Sequence, residues 1–364
     1  MFFTYLLLAF AVVTGINCLF YISFSRFSFT KIRKNIVRNN EAVSVIVYTK
    51  NQESLLNDFI PKLIQQNHPN FELILTNNAS HDNTLDILRA FAENHDNIKV
   101  VDVENNEAFW GSKKYALTLG IKKATHKKLL FITPSAAELS ESWIYEMGNL
   151  LSEEKEIVIG YNNFLKSKGF TCRIMRYSRL MSTVQNFGIA AFTKPYRAWQ
   201  NNLGFTSDLF YENNGYSSHM NVRHESENLF IKEAATAKNV SIAVSKEAYT
   251  YNKSAKFSDW FKNAKERLLS VDHYSGGVKF SLTVFFISQL LFWIGAIAGG
   301  IIFLNFYWFL IILIRFLIAG MVIGKYSFKL SEKDLFYLFP FWELINICTQ
   351  LCIFISNIFS KPQH

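Results

Sequence analysis

Charge is scarce in this 364-residue sequence, where 18% of residues are Asp, Glu, Lys or Arg; an ordinary soluble domain carries about 25%. A chain wetted on all sides needs more, so part of this one meets something other than water. Proline and glycine are also few, at six and sixteen, which excludes a collagen-like repeat and a Pro/Gly-rich disordered chain. Four cysteines occur, Cys18, Cys172, Cys348 and Cys352, and none forms a CxxC pair. Three of them lie in apolar stretches, so neither a disulfide framework nor a cysteine metal site is expected. There is no run of five or six basic residues, no zinc-finger spacing, no internal repeat and no low-complexity tract. Nucleic acid is therefore the weakest partner for a net charge of +9, behind anionic lipid and phosphorylated substrates.

Aromatics are plentiful instead, with 35 Phe, 16 Tyr and 7 Trp, and the apolar excess is uneven. Residues 2–24 are apolar and uncharged, long enough to cross a bilayer core of roughly 30 Å. They lack the basic start and small-residue cleavage site of a secretory signal, so 1–25 reads as a retained anchor. Arg26, Lys31, Arg33, Lys34 and Arg38 follow before any acid, in a linker over 26–42. The positive-inside rule puts that flank in the cytoplasm. The tail, 276–364, holds two to three hydrophobic segments. Stretches 280–304 and 306–323 are long and apolar, and 325–334 is a lysine-bearing loop. The last, 335–359, contains Pro340 and Glu343; it either spans, re-enters or lies in the interface. Arg315 and Glu343 are costly inside a membrane. Either they pair, or Arg315 faces lipid phosphate, or each snorkels outward.

The middle, 43–275, alternates strand and helix patterns. Residues 43–47, 71–75, 98–103 and 128–133 read as strands, and 55–66, 84–93 and 113–124 as helices. That alternation predicts an α/β domain with a mostly parallel sheet covered on both faces. Ligands in such sheets sit at the carboxyl ends of the strands, here at 48–53, 76–84 and 133–138.

Six blocks in these positions carry a resemblance: VSVIVYTKNQE from Val43, QQNHPNFELIL from Gln65, NNASHDNT from Asn77, GSKKYALTLGI from Gly111, PYRAWQNNLGF from Pro195, and Trp260 to Arg267. In this order they resemble the inverting family 2 glycosyltransferases of the GT-A fold, a Rossmann-like sheet here flanked by transmembrane helices. The resemblance implies a nucleotide pocket lined by Tyr48, Asn51, Glu53, Asn77 and Lys114. Glu53 could equally serve as a helix N-terminal acid, and Lys113 and Lys114 as solvated helix lysines. Ser80, Asp82 and Thr84 read as the cap of the next helix.

The acids that perform the family's chemistry are mostly replaced. Asn77 and Asn78 stand where two Asp are usual. Thr133-Pro134-Ser135-Ala136-Ala137 stands at the Asp-x-Asp motif that holds Mg²⁺ or Mn²⁺, so no metal ligand is assigned, although the family implies a divalent metal. In the Glu225-Ser226-Glu227-Asn228-Leu229 block the family's base position falls on Ser226, leaving Glu225 and Glu227 as candidate catalytic bases. Of a downstream Gln-x-x-Arg-Trp motif only Arg267 remains, with Lys265 beside it, for diphosphate or acceptor binding. The resemblance implies transfer of a sugar from a nucleotide-sugar to a lipid-linked or envelope glycan acceptor, by a protein of the inner membrane with its α/β domain in the cytoplasm. The competing expectation is an inactive relative that binds nucleotide, glycan or a partner transferase.

Overall fold

The computed structural model describes residues 1–28, 39–104, 113–220 and 226–359. The basic residues Lys31 to Arg38, Gly111 and the candidate base Glu225 lie outside the described residues. The chain divides into two compact units: Ile32–Ser167 with Thr193–Ser254, and Met1–Lys31 with Lys168–Phe192 and Ala255–His364.

Helix α1 (Phe2–Ser28) comes first. The alternation then runs β1 (Val43–Thr49), α2 (Glu53–Ile64), β2 (Phe71–Asn78), α3 (Thr84–Glu93), β3 (Ile98–Val103), α4 (Lys113–Lys123) and β4 (Lys128–Ile132). Each of these matches a predicted element to within a few residues. Shorter pieces follow: β5 (Ala136–Leu139), α5 (Trp143–Gly148), β6 (Ile157–Ile159) and β7 (Asn162–Phe164). After α6 (Phe170–Ala190) come β8 (Leu203–Thr206), α7 (Ser207–Glu212), α8 (Ser226–Ala234), β9 (Val240–Ile242) and β10 (Thr250–Asn252). The chain ends in α9 (Phe257–Leu269), α10 (Gly276–Phe303), α11 (Phe306–Lys329), α12 (Lys333–Phe336) and α13 (Phe339–Phe359).

In the first unit a seven-stranded sheet has the order β3-β2-β1-β4-β8-β6-β9. All its pairings are parallel except those of β8, which runs against both β4 and β6. A second sheet, β5-β10-β7, is small and mixed. The central strands are mostly apolar through their middles because helices cover both faces. On α2, Leu56, Phe59, Ile60 and Leu63 recur at helical spacing, and all four are buried. Gly120 lets α4 sit close: a Cβ there would lie 2.8 Å from Thr76 Oγ1. At the amino ends of the strands, buried Glu72 accepts from Lys99 Nζ at 2.6 Å, from Thr125 N at 2.6 Å and from Ser44 Oγ. Burial opposes its charge, but these donors outweigh that and bring the carboxyl down to about 2.

The second unit is helical. Four helices are long and apolar enough to cross a membrane: α1, α10, α11 and α13. Leu8, Leu19, Ile301, Leu313, Leu317 and Phe354 are exposed on them, an apolar shell of the kind that lipid covers. The last apolar stretch thus forms a short helix followed by one of spanning length. Arg315 and Glu343 do pair, fully buried. Arg315 Nη1 donates to Glu343 Oε2 at 2.6 Å and Nε to Asn17 Oδ1 at 3.0 Å. Tyr21 OH and Gln289 Nε2 donate to Glu343 Oε1 at 2.8 and 2.7 Å. Every one of the four helices supplies a member, so no charge in the cluster lacks a partner.

Although α6 lies between β7 and β8 in sequence, it belongs to the helical unit. Its Arg176 is buried and forks onto Asp334, at 2.7 and 2.8 Å, while also pairing with Glu332. That fork ties α6 to α12, and Glu332 ties it to the turn before α12.

Candidate functional site

The carboxyl ends of β1 and β2 are stitched together by the polar residues that follow them. Asn51, at a φ of 51°, accepts from His81 N at 2.9 Å and donates its own N–H to Ser80 Oγ at 3.0 Å. Glu53 accepts from Asn83 N at 2.9 Å. Its N–H donates to Asp82 Oδ2 at 3.2 Å, and Gln52 N donates to Thr84 Oγ1 at 2.8 Å. Ser80, Asp82 and Thr84 therefore bind the neighbouring loop, and Asp82 Oδ1 also accepts from Thr84 N, the first N–H of α3, at 3.1 Å, in part the capping expected. The residue at the α3 N-cap is Asn83, which makes no side-chain cap bond. Asn51 and Glu53 hold the rim of the crevice in shape.

Deeper in, Asn77 Nδ2 donates to Asp102 Oδ1 at 2.8 Å, and Asn78 Nδ2 donates to Tyr48 OH at 2.9 Å. These contacts account for the two amides: an Asp at 77 would face the Asp102 carboxylate across the β2–β3 register. Asn77 Oδ1 is buried with no hydrogen-bond partner among the described residues. A buried acceptor in that state marks a place for a donor.

Opposite stands a cluster of opposed charges. Lys113 Nζ lies 2.7 Å from Glu227 Oε1 and 5.8 Å from the centroid of the Tyr48 ring. Lys114 is 2% exposed. Burial, aided by the like charge of Lys113 and opposed by Glu227, brings its ammonium down to about 8. Burial also pushes the phenols of Tyr48 and Tyr216 up, and the Glu227 carboxylate adds to both shifts. Three residues expected from sequence, Tyr48, Lys114 and Glu227, thus meet at one place. Asn228 accepts from Ala198 N at 2.8 Å, which an amide does as well as an acid.

At the position of the family's metal motif the side chains are neutral and already bonded to one another. Thr133 Oγ1 donates to Asn201 Oδ1 at 2.5 Å, Asn201 Nδ2 donates to Ser135 Oγ at 2.7 Å, and the two hydroxyls are 2.7 Å apart. Asn201 Nδ2 also donates to Asn252 Oδ1 at 2.9 Å. Ala136 is buried and paired to Asn252 in the second sheet. A divalent cation asks for anionic oxygens. This closed ring offers none, so the residues present do not fit that metal, and no cluster of three His, Cys, Asp or Glu exists elsewhere among the described residues.

Lys265 and Arg267 fall on α9, in the helical unit. Lys265 Nζ donates to Ser356 O at 3.4 Å, and its carbonyl accepts from Asn357 Nδ2 at 3.1 Å. Asp102 and Tyr216 carry no family-motif signal of their own, and Asn201 falls within the PYRAWQNNLGF block without a role assigned from sequence. An amide on β2 where an acid is usual is the one hint that a neighbouring strand supplies a carboxylate.

Comparison with known proteins bears on this geometry. Residues 44–207 match the profile of glycosyl transferase family 2. A poly-beta-1,6-N-acetyl-D-glucosamine synthase of Staphylococcus epidermidis is 29% identical over 118 residues, 32% of this chain. The match spans about a quarter of that relative, 27% of its length. The mannosyltransferase PcManGT from Pyrobaculum calidifontis, solved with GDP-Man and Mn²⁺, superposes with a TM-score of 0.61 at 14% identity, covering 98% of this chain and 99% of that one. S. aureus TarS 1–349 gives a TM-score of 0.45 at 15% identity, over 89% and 93% of the two chains. Residues 44–207 are thus similar to family 2 glycosyltransferases, within an α/β unit of the GT-A fold, and four long apolar helices accompany them.

Proposed function

We propose that this protein is a membrane-bound glycosyltransferase that moves a sugar from a nucleotide-sugar onto a lipid-linked or envelope glycan acceptor. The observation that carries this reading is the meeting of Tyr48, Asn78, Lys113, Lys114 and Glu227 at the carboxyl ends of parallel strands. The orphan acceptor Asn77 Oδ1 receives a base or ribose donor, while Tyr48 lines the same crevice and Asn51 and Glu53 hold its rim. Lys114 faces the diphosphate. A relative that synthesises an N-acetylglucosamine polymer and a similar fold solved with GDP-Man support a sugar-nucleotide donor and a glycan product.

In the reaction the acceptor oxygen bonds to the anomeric carbon as the bond from that carbon to the diphosphate oxygen breaks. The electron pair leaves with the nucleoside diphosphate and the configuration inverts. Glu227 accepts the hydroxyl proton, and Lys114 stabilises the negative charge of the departing diphosphate. The basic flank after α1 supports a cytoplasmic catalytic domain at the inner membrane. The full chain, reconstituted in lipid nanodiscs, is expected to release nucleoside diphosphate from at least one sugar-nucleotide in a broad panel when a glycan acceptor is present. Glu227→Gln is expected to lower that rate at least 100-fold.

The neutral ring of Thr133, Ser135 and Asn201 favours a second reading, a non-catalytic domain that binds nucleotide, glycan or a partner transferase. Nucleotide binding by calorimetry with no turnover across the panel would select it.

A further inference from the structure

Contacts within the helical unit fix the direction of its long helices. Phe285 of α10 packs on Phe20, Tyr21 and Phe24 of α1, and further along α10 Phe292 packs on Phe10, so the two helices are antiparallel. Tyr326 OH donates to Phe24 O at 2.9 Å and Lys329 Nζ to Phe27 O at 3.0 Å, which sets the end of α11 beside the end of α1. The start of α10 and the ends of α1 and α11 therefore share one face of the bundle, the near face. At the far face Phe303 of α10 meets Phe3 of α1 at 5.0 Å and Trp308 of α11 at 5.3 Å between ring centroids. The apolar cluster of that half, built around Phe10, Phe292 and Trp308, draws on α1, α10 and α11; among the described residues none comes from α13.

The path of α13 begins and ends elsewhere. Just past the end of α11, Glu332 and Asp334 are held by Arg176. Glu343 then reaches Tyr21 and Gln289 in the polar cluster. Further along, Asn357 Nδ2 donates to Lys265 O at 3.1 Å, and Lys265 Nζ donates to Ser356 O at 3.4 Å. Lys265 belongs to α9, which carries Asp259, Lys262, Glu266 and Arg267 as well and leads through a short turn into the start of α10. Such a density of charge keeps α9 out of hydrocarbon, so the end of α13 is also at the near face. A helix that crossed from Glu343 would carry Asn357 about 21 Å further into the membrane, away from α9. One side of α13 is buried, with Trp342, Glu343, Asn346, Ile347 and Ile353, while Phe341, Ile355, Ile358 and Phe359 are exposed.

We propose that α13, although long enough to cross, lies within the leaflet at the near face, with Phe341, Ile355, Ile358 and Phe359 against its acyl chains. Only α1, α10 and α11 span. The exposed side of α13 continues the apolar shell of those three helices, and a one-sided apolar helix of this kind is held by a membrane interface. Three crossings put the two ends of the chain on opposite sides of the membrane; four would put them on the same side.

The test uses the full chain with one epitope before Met1 and another after His364, each joined through the cleavage site of one specific protease. Sealed vesicles from expressing cells are treated with that protease, and a detergent-treated sample shows that both sites can be cut. Each molecule is expected to lose one epitope and keep the other, whichever way its vesicle is sealed. Loss of both or retention of both overturns the proposal, and no substitution is involved that could unfold the protein. In a second arm, Lys265→Cys with Asn357→Cys is expected to form a disulfide under mild oxidation, identified by the mass of the bridged peptide. No bridge would mean that α13 ends away from α9, against the proposal. Spin labels on the native thiols of Cys348 and Cys352, both exposed on α13, report what covers the helix. Access to oxygen and not to a nickel chelate is the expected signature of acyl chains. Access to the chelate would put this face in water, and protection from both would put a second copy of the chain on it; either result overturns the assignment to lipid.

Discussion

Asn77 and Asp102 are cross-strand partners, and the amide of one donates to the carboxylate of the other at 2.8 Å. The pair explains an amide where the family usually has an acid. Asn77→Asp would set two carboxylates against each other at the sheet's carboxyl edge. That costs about 1 kcal/mol at neutral pH, and pairing it with Asp102→Asn should recover most of the loss. Thermal unfolding of the single and double variants measures this, and an unchanged midpoint for Asn77→Asp would refute the explanation.

Lys114 sets a second expectation, on pH. Its folded pKa is about 8, below the ordinary 10.5, through burial, which Glu227 opposes and Lys113 reinforces. The protonated form that binds anions is therefore lost as pH rises through about 8. Pyrophosphate affinity should fall across that interval, and affinity held constant to pH 10 would contradict the role assigned to Lys114. Stability moves the other way: between about 8 and 10.5 the unfolded chain holds the extra proton, so this group favours folding as pH rises.

Glu72 acts at the opposite end of the strands. Its carboxyl is depressed to about 2 from 4.5, so its contribution is complete above pH 4.5 and disappears as pH falls toward 2. Glu72→Gln loses charged hydrogen bonds to Lys99, Ser44 and Thr125, at a cost of about 2 kcal/mol at neutral pH. Melting curves at pH 7 and pH 3 should show the gap between wild type and variant narrowing in acid. A gap of equal size at both would count against the ion pair.

The Arg315–Glu343 pair predicts strong non-additivity. Glu343→Ala leaves a buried guanidinium without its carboxylate and should cost about 3–5 kcal/mol. Replacing both residues with leucine removes the demand for a partner, so the double variant should be more stable than either single truncation. Unfolding of the three variants in one detergent decides the point; simple addition of the two losses would show that the charges act independently.

The alternating elements from β1 to β4 were legible because burial on both faces writes itself as apolar runs, and α2 shows its buried stripe directly in the spacing of Leu56, Phe59, Ile60 and Leu63. The three- and four-residue strands β5, β7 and β10 leave no such period. Membership of α6 in the helical unit was not legible either, since Arg176 meets Asp334 across 158 positions of chain. Arg315 and Glu343 stood out as misplaced charges, yet nothing local pointed to Asn17, Tyr21 or Gln289 as their company. At the site, Tyr48, Lys114 and Glu227 were visible through motif position. Asp102 was not, because its role comes from the strand beside it.

The polar cluster of the four long helices also bears on how the protein is made. Ribosomes deliver a chain from its N-terminus, so Tyr21 is synthesised 322 residues before the Glu343 that accepts its hydroxyl hydrogen bond. Until α10 is made, α1 carries Asn17 and Tyr21 without Ser288, Gln289, Arg315 or Glu343, and Arg315 emerges before its counter-ion. The helical unit therefore cannot close until its last long helix has left the ribosome. A chain truncated before α13 would leave the Arg315 guanidinium without its carboxylate.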